Sequence, residues 1–199
     1  MKWEARFRAA IRALSNACDG ANARWMLIGG IAVIARGAPR TTEDVDATVL
    51  APSLDIDRFL EACRAQQIIP RIDDVKEMAL RAQILLLRHI ESSIELDVSL
   101  AWLGFEEEAI GRARPVDFGD GLSVPVAQPD YRIVYKAVAW RDMDRKDIER
   151  LLLRHRSTVD LSRIRAQVQE FAQLMETPER VDQFDALVAR ARGPDREKG

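Results

Sequence analysis

Two glycines, Gly29 and Gly30, close a short apolar run, and fourteen residues after Gly30 comes Asp44-Val45-Asp46, at the head of a second apolar run. No other feature constrains the chain as much. The first run, Trp25 to Ile28, reads as a strand, and the small apolar residues from Ile31 to Arg36 read as a helix. Glycine in the turn between them permits positive φ and lets backbone N–H groups approach an anion at the start of the helix. The second run, Val45 to Leu50, reads as a strand whose pleat turns Asp44 and Asp46 to one face. Two aligned carboxylates suit a divalent metal ion. A phosphate cradle beside them suits metal-assisted transfer of a phosphoryl or nucleotidyl group, chemistry that depends mostly on positioning and charge neutralisation.

The fuller string is Leu27-Ile28-Gly29-Gly30, Ala35-Arg36-Gly37, Arg40-Thr41-Thr42 and Asp44-Val45-Asp46. It resembles the signature of the DNA polymerase β-like nucleotidyltransferase superfamily and, more narrowly, that of the AbiEii/AbiGii-type toxin nucleotidyltransferases of bacterial type IV toxin–antitoxin systems. Gly-Gly and Asp-x-Asp are each weak signals alone, but their order and spacing between two apolar strands is much harder to meet by chance. The resemblance implies an α+β fold: a mixed β-sheet nucleotidyltransferase core flanked by helices, followed by an all-helical C-terminal lobe.

It also implies roles for residues. Asp44 and Asp46 would be catalytic and hold metal, and a third carboxylate is expected from a later strand. Ile94 to Leu100 alternates, with Ile94, Leu96, Val98 and Leu100 on one face and Glu95, Asp97 and Ser99 on the other. Asp97 is the candidate third metal ligand or proton acceptor, and Glu95 shares its face. Gly29, Gly30, Arg40 and Thr42 would lie at the nucleotide. Arg40 has two readings, a fork-shaped donor to triphosphate or a partner of Glu43 or Asp44. Further along, Lys136, Arg141, Lys146 and Asp147 resemble the Lys and Lys-Asp positions that help hold the nucleotide in the helical lobe of AbiEii-like proteins. The implied cofactor is Mg²⁺, with Mn²⁺ as the alternative, because an open site that shares ligands with phosphate suits a rigid octahedral shell. The implied substrate is an NTP, with tRNA or another nucleic acid as acceptor and a cognate antitoxin as protein partner. Similar cores modify antibiotics or AMPylate proteins, and a catalytically silent binding module or antitoxin is an alternative of a different class.

Composition agrees with a globular protein. The 199 residues are 47% hydrophobic and 31% charged, with a formal net charge of −2, which excludes a strongly basic nucleic-acid binder and a disordered chain. Between Arg132 and Arg165 ten Lys/Arg face five Asp/Glu, a basic stretch that suits either a polyanion or a lattice of ion pairs such as Asp142 with Lys146. No apolar run is long enough to span a bilayer, so no membrane partner and a cytoplasmic location are expected. Cys18 and Cys63 imply no disulfide framework and read as packing residues. His89 reads as a solvated strand-end residue and His155 as part of a basic helix end; neither has a neighbour at zinc-ligand spacing. The four tryptophans, Trp3, Trp25, Trp102 and Trp140, read as core.

Three segments follow: a nucleotidyltransferase-like core with an N-terminal helix over residues 1–126, a helical lobe over 127–192 and a flexible tail over 193–199. In the core, periodicity predicts a helix from Trp3 to Ala17, a helix from Ile56 to Gln66 capped by Ser53, strands at Ala82–Arg88 and Ser93–Leu100 joined as a hairpin, and a helix from Leu103 to Arg112. A second hairpin is expected from Pro115–Phe118 and Leu122–Val126 around Gly119-Asp120-Gly121. The lobe should contain helices at Tyr131–Arg141, Asp144–Arg154, Leu161–Met175 and Pro178–Ala191, with Pro129 and Pro178 in first turns, before a polar tail opened by Gly193-Pro194.

Overall fold

The computed structural model describes residues 4–37, 41–52 and 54–193. Trp3, Arg40, Ser53 and Pro194 therefore lie outside the described residues. The chain divides into two compact units, Met1–Ala127 and Gln128–Gly199.

The first unit opens with α1 (Ala5–Gly20), which buries Phe7, Ile11, Leu14 and Cys18 along one stripe by the three-and-four spacing of a packed helix. Next come β1 (Trp25–Leu27) and α2 (Gly29–Ala35). The two glycines are thus the first residues of the helix rather than a turn ahead of it. The strand β2 (Asp44–Leu50) includes Asp44 itself. In α3 (Ile56–Ala65), the Asp55 carboxylate accepts from the Arg58 backbone N–H at 3.1 Å, so Asp55 supplies the cap expected of Ser53. Two elements, β3 (Ile68–Pro70) and α4 (Val75–Ala82), were not anticipated. The unit continues with β4 (Ile84–His89), β5 (Glu95–Ala101), α5 (Gly104–Arg112), β6 (Arg114–Asp117) and β7 (Ser123–Val126).

Among the described residues the strands form one seven-stranded sheet in the order β3-β4-β5-β2-β1-β7-β6. The pairs β2/β5 and β1/β7 are parallel and the others antiparallel, so the sheet is mixed and the fold α+β. One face is apolar. Val45, Ala47 and Val49 of β2, Leu96, Val98 and Leu100 of β5, and Leu85 and Leu87 of β4 pack with Ile11, Leu14, Phe59 and Cys63 of α1 and α3. Each fully buried Leu, Val or Phe contributes about 1.5–3 kcal/mol, and strand alternation leaves Asp44, Asp46, Glu95 and Asp97 to the opposite face.

Two single-residue expectations change. His89 is buried, with Nδ1 at 2.8 Å from Ser92 Oγ, because the β4–β5 turn folds Ser92 back over it. Trp25 is core, but Trp102, one residue past the end of β5, is 49% exposed. Cys18 and Cys63 are buried as expected; burial raises both thiols, Cys63 to about 12, which suits inert packing residues.

The second unit contains α6 (Pro129–Ala139), α7 (Asp142–Arg154), α8 (Leu161–Leu174) and α9 (Glu179–Arg192). Its core includes Ile133, Val134, Ile148, Leu152, Ile164, Val168, Phe184 and Leu187. Pro129 starts α6, whereas Pro178 is the residue before α9 rather than within it. The end of α6 turns at Trp140 with φ 53°; Arg180 lies over that indole at 5.0 Å and donates to the Ala137 and Val138 carbonyls at 2.8 Å. Asp142 pairs with Arg145 at 2.5 Å instead of Lys146. No helix among the described residues is long and apolar enough to cross a membrane.

Candidate active site

The polar face of the sheet carries the acids. In the β2/β5 register Asp44 stands opposite Glu95 and Asp46 opposite Asp97. The sheet thus brings Asp97 beside the Asp44/Asp46 pair, on the same face by strand alternation.

Gly29 and Gly30 meet this row at close range. Gly29 has φ +57°, and a Cβ there would lie 1.7 Å from Asp46 Oδ2; a Cβ on Gly30 would lie 2.4 Å from Thr42 Oγ1. Only glycine leaves space for both neighbours, and at residue 29 only glycine adopts the backbone angle without penalty. The Gly30 N–H donates to Asp46 Oδ2 at 3.3 Å, and the Ile28 N–H donates to the Asp46 carbonyl at 3.0 Å. The bend is therefore an anion-binding corner whose anion here is a carboxylate of the protein itself. Thr42 Oγ1 donates to Asp44 Oδ1 at 2.8 Å, which orients the first acid as the chain enters β2. The other end of α2 is tied down by Arg36, whose Nη2 donates to the Val126 carbonyl at 2.8 Å.

A residue that the sequence reading passed over completes the cluster. Arg71, just after β3, donates through one Nη to Glu95 and through the other to Asp97. Glu95 also accepts from Arg88 Nη2 at 3.1 Å. Burial pushes the Asp97 carboxyl above its ordinary value; Arg71 works the other way, and Asp44 and Glu95 reinforce the rise. Nothing local in the sequence marks Arg71, because the strand before it has three residues and its side chain reaches Asp97 only once β4 pairs with β5.

Four hard oxygen donors on one face suit Mg²⁺ or Mn²⁺ in kind. Among the described residues no group of three such side chains is arranged to hold a metal ion; Asp97, which would be the third, is engaged by Arg71.

The helical-unit candidates form a separate group. Lys136 Nζ bonds Asp144 Oδ1 at 2.9 Å and Asp147 Oδ2 at 2.8 Å, and the Arg141 N–H donates to Asp144 Oδ2 at 3.1 Å. Burial alone would raise the Asp144 carboxyl, but the bonds from Lys136 and the Arg141 backbone hold it below its ordinary value. Lys146 is exposed on α7. Lys136 and Asp147 are thus brought together, with Asp144 as a member the sequence reading did not name.

The mixed sheet with its flanking helices is similar in fold to solved structures, one of them named as a nucleotidyltransferase. The protein JHP933 from Helicobacter pylori aligns over 96% of this chain and 92% of its own, at 13% identity and a TM-score of 0.50. A candidate nucleotidyltransferase from H. pylori aligns over 94% and 92%, also at 13% identity and a TM-score of 0.50. The enzyme ANT(2")-Ia, solved with adenylyl-2"-tobramycin, aligns over 94% and 97% at 16% identity with a TM-score of 0.46. The two at a TM-score of 0.50 are likenesses of fold. No family model matches the chain, and no curated protein matches it in sequence.

Proposed function

We propose that this protein is a Mg²⁺-dependent nucleotidyltransferase that moves an NMP unit from an NTP to an acceptor and releases pyrophosphate. The observation that carries the reading is the register of β2 and β5, which puts Asp97 beside Asp46, with the Gly29-Gly30 bend against the same carboxylate. Asp44 and Asp46 would hold the metal, with Asp97 as third ligand once Arg71 leaves it. Bound there, the metal would neutralise charge developing on the transferred phosphoryl group. Thr42 fixes the orientation of Asp44. In the alternative role, Asp97 would take the proton from an acceptor hydroxyl as its oxygen bonds the α-phosphorus and the bond to the β-phosphate oxygen breaks. Gly29, Gly30 and Arg40 would lie along the triphosphate; for Lys136, Lys146 and Asp147 the sequence resemblance supports a nucleotide-binding role.

The string from Leu27 to Asp46 supports a toxin-like role in a bacterial toxin–antitoxin system, with tRNA as acceptor and an antitoxin as partner. The test is incubation of the purified protein with each radiolabelled NTP, Mg²⁺, total cellular RNA and lysate, beside an Asp46→Ala variant. Label in tRNA from wild type alone supports the full reading. Label in protein or in a small molecule keeps the chemistry and replaces the acceptor. Equal labelling by Asp46→Ala removes the site assignment.

A further inference from the structure

Arg71 is anchored to the sheet by its own backbone, its N–H donating to the Leu86 carbonyl of β4 at 2.9 Å. From there its side chain, 18% exposed, reaches Glu95 and Asp97 on β5. Asp44, Asp46, Glu95 and Asp97 are neighbours by strand register and together carry four negative charges. Arg71, and Arg88 on Glu95, return two positive charges. A divalent ion held by Asp44, Asp46 and Asp97 would have to share Asp97 with the Arg71 guanidinium, and two cations on one carboxylate repel.

The guanidinium is also incompletely satisfied where it lies. Its Nε is buried and has no hydrogen-bond partner, although both Nη groups are engaged. A buried donor left without an acceptor is destabilising. A phosphate accepts the same fork of donors from a guanidinium.

We infer that Arg71 is the exchange cation of this site: it neutralises Asp97 and Glu95 in the ligand-free protein and transfers to a phosphate of the incoming nucleotide, which releases Asp97 to the metal ion. The inference rests on the nucleotidyltransferase reading and adds an order to it, nucleotide engagement before full metal coordination. Metal and nucleotide then bind cooperatively, and by linkage each tightens the other by the same factor. Arg71 adds to that coupling, beside the ligands that the phosphates themselves would share with the metal.

The test reads metal binding rather than turnover. Mn²⁺ is titrated into the full-length protein and followed by electron paramagnetic resonance, with and without a non-hydrolysable NTP analogue, for wild type, Arg71→Met and Arg71→Lys; circular dichroism reports folding. Wild type should bind Mn²⁺ weakly alone and on the order of tenfold more tightly with the analogue. Arg71→Met should bind Mn²⁺ alone on the order of tenfold more tightly than wild type, the scale of removing one nearby like charge from a partly exposed site, and gain less from the analogue than wild type does. Arg71→Lys keeps the charge but cannot bridge both carboxylates, so it should fall between the two, and it decides the matter if Arg71→Met does not fold. Equal Mn²⁺ affinity and equal enhancement by the analogue in all folded forms would overturn the exchange role while leaving the nucleotidyltransferase reading in place. Absence of Mn²⁺ binding by every folded form, with any NTP analogue, would overturn both.

Discussion

Gly29 and Asp46 share a space too small for one more carbon: a β-carbon on residue 29 would sit inside the contact radius of Asp46 Oδ2, at 1.7 Å. Gly29→Ala must therefore either push the second acid of the pair aside or unwind the start of α2. The left-handed backbone adds about 1–2 kcal/mol for an L residue. We expect a lower denaturation midpoint in guanidinium and a fall in nucleotide labelling of roughly 100-fold, the cost of displacing a reacting group by about an ångström. A variant labelling at the wild-type rate would show that Asp46 does not need its observed position.

Asp97→Asn preserves shape and removes the charge and the proton acceptor. Labelling should fall by ~10²–10⁴-fold, the range for losing a positioned general base, while the melting temperature changes little, because Asn still accepts from Arg71. Full activity in Asp97→Asn would move the role to Glu95, its neighbour on the same face.

In the helical unit, Lys136→Met would leave Asp144 and Asp147 together without their shared cation. Breaking a buried pair costs about 3–5 kcal/mol; with these side chains 13–21% exposed, about 2 kcal/mol is expected in a denaturant melt. The pH dependence has a definite sign. Asp144 is held below its ordinary value, so its stabilisation is complete above the unfolded carboxyl value of about 3.9 and disappears as pH falls through the folded value. The acid limb of a stability–pH curve should flatten in Lys136→Met. An unchanged curve would mean that the Lys136 contacts contribute nothing to folding.

His89 supplies a second pH effect, in a different window. Burial lowers its folded value below the ordinary 6.5, with Glu91 opposing. Above about 6.5 the ring is neutral in both folded and unfolded chains and its stabilisation is complete; as pH falls below that, only the unfolded chain takes up the proton and stability declines until the folded value is passed. Melting temperatures between pH 7.5 and 5.5 should fall more steeply for wild type than for His89→Asn. Parallel slopes would remove His89 as the cause.

The acids were legible in the sequence because their signal is local. Asp44 and Asp46 follow the two-residue period of their own strand, and Glu95 and Asp97 follow that of theirs. The helical unit was legible for the same reason, with α7, α8 and α9 each carrying a stripe of the right period. Arg71 was not, since its partners are 24 and 26 residues away and are reached only across β4. Three-residue β3 and eight-residue α4 are too short for either period to stand out. His89 was misread because burial at a strand end is decided by the turn that follows it, and Trp102 because an apolar residue beyond a strand is core only if another element covers it. The glycines were recognised as special, but their nearest obligation, space for Asp46 and Thr42, depends on β2 lying against the start of α2.

The parallel pairing of β2 with β5 also guards fidelity. If β5 slid along β2 by one residue, Leu96, Val98 and Leu100 would turn to the polar face while Glu95 and Asp97 entered the oily side of the sheet. Such a molecule would scarcely hold together. Misassembled copies are thus selected against by stability itself, and those that survive in the cell are the ones whose acids already face the right way.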